Sequence, residues 1–222
     1  MKKKVLIIEN RTQRQKQFLS LTDINLNDYP FIHNKIGKLY DEFKENLLKD
    51  TSILNEYEVI ISHRSAFEKD NKKVFDLIRN YCERSKKYFI LFSGGLSTSY
   101  YSKEPYEQLS LNSKDFYSLN LKLFLDEINT NDNINLLLLA FGEKWELNIV
   151  LNSLEKINSL SSDEIEEFDD FNEFYGINLK TLKGIIYFDE FNKEEEVSIE
   201  IVKQIKQKIL NYINNKLGIY YE

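Results

Sequence analysis

The sequence holds one cysteine, Cys82. That excludes an internal disulfide and a cysteine-rich zinc site, and leaves a thiol on a predicted helix that reads as inert. Two prolines and seven glycines are too few for long disordered linkers or for an all-β fold full of tight turns. No apolar run approaches the length of a membrane span. The run after Met1-Lys2-Lys3-Lys4 reaches from Val5 to Ile8 and meets Glu9, which is too short for an export signal. A basic excess is missing too: the net charge is -6 and the sequence pI about 5.2. General polyanion binding is thereby disfavoured, although a local basic patch is allowed. With two histidines, His33 and His63, a histidine-based metal site has little support. There is no Gly-x-Ser-x-Gly, no His-Glu-x-x-His and no P-loop. The expectation is a cytoplasmic chain off the membrane, without a cofactor or resident metal, with nucleic acid disfavoured as a partner.

What is present is core material. The 222 residues are 42% hydrophobic and 30% charged, with aromatics at 14%, nearly all Phe and Tyr. The length fits one large domain, or an ordinary domain with an appended unit. Tyr88-Phe89-Ile90-Leu91-Phe92-Ser93 is an apolar run stopped by Gly94-Gly95. It predicts a strand buried on both faces, as in a parallel sheet, with its exit at the carboxyl end where α/β sheets build their sites. Two further runs have this character: Lys4 to Asn10, and Tyr57 to His63. Weaker strands are predicted at Phe31-Ile32-His33 and Gln108 to Leu111. Between them lie helical patterns at Arg11 to Leu21, Lys38 to Leu48, Lys72 to Ser85 and Asp115 to Ile128. This alternation calls for an α/β fold: a parallel sheet with helices on both faces.

The polar run Asn129 to Asn133 is the best candidate boundary, giving units 1–130 and 131–222. In the second, Ile134 to Phe141 reads as a buried strand, with a helix segment as the alternative, and Glu143 to Ile157 as a helix. Ser161 to Glu173 is acidic and reads as a solvated loop or one-sided helix. Gly184 to Phe188 reads as a strand and Glu194 to Leu217 as a long amphipathic helix. Acidic pairs such as Asp169-Asp170 and Asp189-Glu190 allow a nuclease reading, but a charge-rich solvated surface accounts for them more simply.

With the strands in place, the first 130 residues resemble a response-regulator receiver domain, of the flavodoxin-like class. Glu9-Asn10 falls where that family carries its acidic metal ligands, and His63 where it carries the phosphoacceptor aspartate. Ser93-Gly94 resembles its Ser/Thr followed by a small residue, and Lys114-Asp115-Phe116 its Lys-Pro-Phe, with Asp for Pro. The departures matter. Magnesium prefers hard oxygen ligands and one of the acidic positions is Asn10. Histidine cannot form an acyl phosphate. The resemblance therefore implies a degenerate pseudo-receiver, not a phosphorylated switch. Lys114 either pairs with Glu9, as a receiver lysine meets its acidic pocket, or is exposed. Glu9 and Asn10 are a remnant site or a solvated strand end, and His63 reads best as a hydrogen-bonded strand-end residue.

Ser93-Gly94-Gly95-Leu96-Ser97-Thr98 also resembles the Ser-Gly-Gly-x-Asp-Ser loop of the PP-loop ATP pyrophosphatases, whose amides cradle pyrophosphate. Here Ser97 replaces the Asp, and the segment beyond it is a poor helix start. Two functions follow as expectations. The first is a non-catalytic signalling or adaptor module that binds a protein partner, with a homodimer as one form, through Tyr100, Tyr101, Phe116 and Tyr117, since aromatics are enriched at interfaces. The second is a nucleotide- or phosphate-binding enzyme or sensor using Glu9, Asn10, His63, Ser93, Gly94, Gly95 and Lys114.

Overall fold

A computed structural model describes residues 3–67, 72–96, 99–102, 108–168, 182, 197–216 and 218. The chain divides into two compact units, Met1–Glu143 and Lys144–Glu222. The first holds β1 (Val5–Glu9), α1 (Thr12–Thr22), β2 (Ile32–Ile36), α2 (Lys38–Lys49), β3 (Val59–His63), α3 (Lys72–Ser85) and β4 (Tyr88–Ser93). There follow β5 (Tyr100–Ser102), β6 (Gln108–Asn112), α4 (Ser113–Phe116), α5 (Leu119–Asn131) and α6 (Leu136–Phe141).

The sheet runs β2-β1-β3-β4-β6-β5. The first five strands are mutually parallel, and β5 joins the edge antiparallel to β6. The parallel strands have the flavodoxin-like order, which reverses direction between β1 and β3. Period-two alternation sends Val5 and Ile7 to one face and Leu6 and Ile8 to the other. On the first face Val59, Ile61, Ile90, Phe92, Leu109 and Leu111 meet Phe18 and Leu19 of α1 and Leu121, Phe124, Leu125 and Ile128 of α5. On the second, Ile60 and Phe89 meet Tyr40, Phe43 and Leu47 of α2 and Val74, Ile78 and Cys82 of α3. Each such side chain, fully buried, contributes about 1.5–3 kcal/mol. This explains why the strands are apolar throughout while the helices alternate.

The run Ile134 to Phe141, expected first as a strand, is helical from Leu136. The Asn135 side chain accepts hydrogen bonds from the amides of Leu137 and Leu138, which caps a helix start. Leu136, Leu139 and Ala140, at helical spacing, then pack into the core on the α1/α5 face, so the first unit runs on to Glu143. Gly142, at φ +81°, ends the helix. The single helix predicted from Asp115 is two, because Ser118 leaves the helical path and caps α5 by accepting from the Asn120 amide. Strand β5 was not legible in the sequence.

In the second unit the described residues form α7 (Trp145–Ser159), α8 (Ser162–Glu166) and α9 (Ile199–Lys216). The acidic stretch opens as a helix, because Ser161 and Glu164 make a reciprocal capping box. The predicted strand Gly184 to Phe188 and the pairs Asp169-Asp170 and Asp189-Glu190 lie outside the described residues. Among those described, no helix is long and apolar enough to cross a membrane.

Candidate functional site

Five parallel strands release their carboxyl ends along one edge of the sheet. Alternation places Glu9, His63 and Phe92 in the last row on the α1/α5 face, one each at the ends of neighbouring strands β1, β3 and β4. The row therefore continues the apolar columns with a carboxylate, an imidazole and a phenyl ring.

Glu9 is fully buried and is the one buried carboxylate among the described residues. An unpaired carboxylate is very costly at such a position. Helix α1 begins three residues later and brings Arg14 over it: Nη2 donates to Oε1 at 2.6 Å and Nε to Oε2 at 3.3 Å. The Arg11 amide donates to Oε1 at 2.9 Å, and the Tyr117 hydroxyl donates to Oε2 at 3.3 Å. Gln15, one residue on, donates to the Asn34 side chain on β2 and to the Tyr117 hydroxyl, and Asn34 donates back at 2.7 Å. Both oxygens of Glu9 are thus taken by protein donors. Burial and the neighbouring Glu9 carboxylate push the Tyr117 hydroxyl far above its ordinary pKa, so it remains a donor.

His63 is 3% exposed. Its Nδ1 accepts the Ser65 amide at 3.0 Å and lies 2.6 Å from the Ser65 hydroxyl. An amide can only donate, so the proton of the neutral ring sits on Nε2. Nε2 has no hydrogen-bond partner, and the ring meets Phe92 edge-on with centroids 5.0 Å apart. Burial, then the positive charges of Arg14 and Arg11, lower the His63 pKa from 6.5 to about 3, so the ring is neutral at physiological pH. The Ser65 hydroxyl also lies 3.0 Å from Asn10 Oδ1, and Asn10 Nδ2 donates to the Ser65 carbonyl at 3.1 Å. Asn10, Ser65 and His63 thus tie the exit of β1 to that of β3, across the point where the strand order reverses.

The loop after β4 is folded onto itself. Ser93 Oγ accepts from the Gly95 amide at 3.3 Å. The Asn112 side chain donates to the Leu96 carbonyl and accepts from the Lys114 amide at 2.8 Å. Gly94 and Gly95 are exposed. A Cβ on Gly94 would meet nothing within 4 Å, and one on Gly95 would meet Ser93 Oγ at 3.8 Å. Neither glycine is required by close approach, and neither has positive φ. Ser97 and Thr98 lie outside the described residues.

Of the expected ligand-binding set, Glu9, Asn10 and His63 converge, joined by Arg14 and Ser65. Ser93, Gly94 and Gly95 stand at the same sheet edge, where the Gly95 amide donates to Ser93 Oγ. Lys114 is exposed on α4, and among the described residues no ion pair joins it to Glu9; Arg14 holds that place. Of the expected contact residues, Tyr101, Phe116 and Tyr117 are buried in the core, with Phe116 stacked on Phe92 at 4.2 Å. Tyr100 contributes backbone to β5, and its side chain lies outside what is described. Among the described residues no group of three or more His, Cys, Asp or Glu is placed to hold a metal ion. Burial pushes the Cys82 thiol up to about 12, which keeps it protonated.

Sequence reasoning missed Arg14, Gln15, Asn34 and Ser65. The available signal was a buried carboxylate at a strand end followed at short range by an arginine on a helix, which argues for an internal pair. Comparison with protein-family models, curated proteins and solved structures finds no match.

Proposed function

We propose that the chain is a non-catalytic pseudo-receiver, a signalling or adaptor module that acts by binding a protein partner. One observation carries the reading: the only buried carboxylate at the described sheet edge is closed by Arg14, Arg11 and Tyr117. A carboxylate whose oxygens are filled by protein donors is not free to ligate an ion or activate a nucleophile. Beside it, His63 uses Nδ1 to accept from the Ser65 amide, keeps Nε2 buried, and meets the Phe92 ring edge-on. Phosphoryl chemistry needs an accessible acceptor and a cation to gather charge, and neither role has a free residue in this row. The strand order and the position of the four motif segments at the strand exits support kinship with receivers.

The competing reading places a nucleotide or phosphate on Ser93, Gly94 and Gly95. The hydrogen bond that already occupies the Gly95 amide, donated to Ser93 Oγ, counts against it. Thermal shift against Mg²⁺ with a phosphoryl mimic, ATP and cyclic nucleotides decides between them, since a ligand of the native state raises stability by mass action. The proposal expects no shift. A shift that disappears in Ser93→Ala would transfer the function to the loop.

A further inference from the structure

Among the described residues the carboxyl edge of the sheet carries an excess of exposed cations although the chain has a net charge of -6. Arg11 follows β1, Lys38 follows β2, Arg64 follows β3 and Lys114 follows β6; Lys72 and Lys73 open α3 at the same edge. All six are exposed, and none has an ion-pair partner among the described residues. Of the acidic groups described nearby three are engaged, while Glu42 and Asp76 are exposed with no ion-pair partner among the described residues. Glu9 is buried under Arg14, Asp41 is paired with Lys44 at 3.4 Å, and Asp115 accepts the Ser99 hydroxyl at 2.9 Å. Among the described residues of this edge, exposed unpaired cations therefore outnumber unpaired carboxylates.

We infer that this edge is a docking surface for an acidic protein segment. The inference rests on the adaptor reading and names the chemistry of its partner. The cations extend from the exit of β2 to the exit of β6, four strand spacings or about 19 Å. That is too wide for one phosphate and matches about six residues of extended chain. A polyanion as dense as nucleic acid meets the repulsion of the whole negative molecule. The described aromatic rings at this edge, Phe92, Phe116 and Tyr117, are buried and give a base nothing to stack on. An acidic segment needs neither a stacking platform nor a positive protein.

The test is fluorescence anisotropy of the full chain with three labelled probes: a 12-residue peptide of alternating Glu and Ser, a 12-nucleotide single-stranded DNA and a 20-base-pair duplex. Peptide binding at about 50 mM salt is expected to weaken at least tenfold at about 300 mM. Arg64→Glu with Lys73→Glu is expected to weaken it at least tenfold, while Lys49→Glu with Lys86→Glu, which adds the same charge away from this edge, leaves it within about twofold. Circular dichroism establishes that both variants are folded. No peptide binding at low salt, equal loss in both variants, or tighter binding of either DNA at this edge would overturn the inference. Such failure with a silent thermal-shift panel leaves the adaptor reading standing with a different face. A ligand shift in that panel removes the adaptor reading whatever the peptide does.

Discussion

Arg14 lies over Glu9 with Nη2 2.6 Å from Oε1, and this pair closes the carboxyl end of the first strand. Its partners differ sharply in exposure, the arginine side chain at 19% and the glutamate at 0%. The guanidinium keeps a route to water while the carboxylate has none, so the two halves of the pair are not equivalent in the fold.

Removing the arginine should therefore cost far more than a surface ion pair. Arg14→Ala strands a buried carboxylate and is expected to destabilise by about 3–5 kcal/mol. The joint replacement Glu9→Leu with Arg14→Met should recover most of that, since apolar pairs of similar volume replace buried ion pairs at little cost. Urea unfolding measures both. A loss under about 1 kcal/mol in Arg14→Ala, the range of exposed pairs, would mean that the carboxylate is not sealed.

The Tyr117 hydroxyl also donates to Glu9, at Oε2. Tyr117→Phe keeps the stack on Phe18 and the packing on Phe92 and removes only the hydroxyl. The expected cost is about 1–2 kcal/mol, read from the shift in urea midpoint at unchanged slope.

His63 makes stability depend on pH in a definite direction. Its folded pKa of about 3 lies below the ordinary 6.5. The unfolded chain therefore binds the proton first, and stability falls as pH drops from about 6.5 toward 3. Above 6.5 the contribution is complete and flat. Urea unfolding between pH 7.5 and 4.5 should show a shallower decline in His63→Gln than in the parent. Parallel profiles would show that the histidine is solvated. Nitrogen-15 spectra should place the ring proton on Nε2.

The glycines separate into two kinds. Gly142, at φ +81°, would bring a Cβ to 2.8 Å from Asn120 Oδ1, so Gly142→Ala should cost more than about 1 kcal/mol. Gly94→Ala meets open space and should stay within about 0.5 kcal/mol. A large loss in Gly94→Ala, or loss of a bound anion, would restore the loop as a phosphate cradle.

The sheet was largely legible because parallel strands buried on both faces leave unbroken apolar runs. Val5–Glu9, Val59–His63 and Tyr88–Ser93 were visible in this way. The helix at Leu136–Phe141 was hidden because a short apolar run has no period of its own; the Asn135 cap decides it. The short β5 carries too few residues to show an alternation. Within the site, Glu9, Asn10 and His63 could be placed because strand ends are fixed by the strands. Arg14 and Ser65 could not, since their roles depend on how α1 and the turn at Arg64–Phe67 fold back over those ends. Tyr101, Phe116 and Tyr117 invited an interface reading by composition, yet aromatics are core residues first, and here they fill the core.

A sealed strand-end row, as proposed, accepts no phosphoryl group. The direct measurement is incubation of the full chain with Mg²⁺ and acetyl phosphate, followed by intact mass and by amide spectra of Asn10, Arg11, Arg64 and Ser65. An unchanged mass and unmoved amides are expected. A phosphoryl adduct, or saturable movement of these four amides, would contradict it.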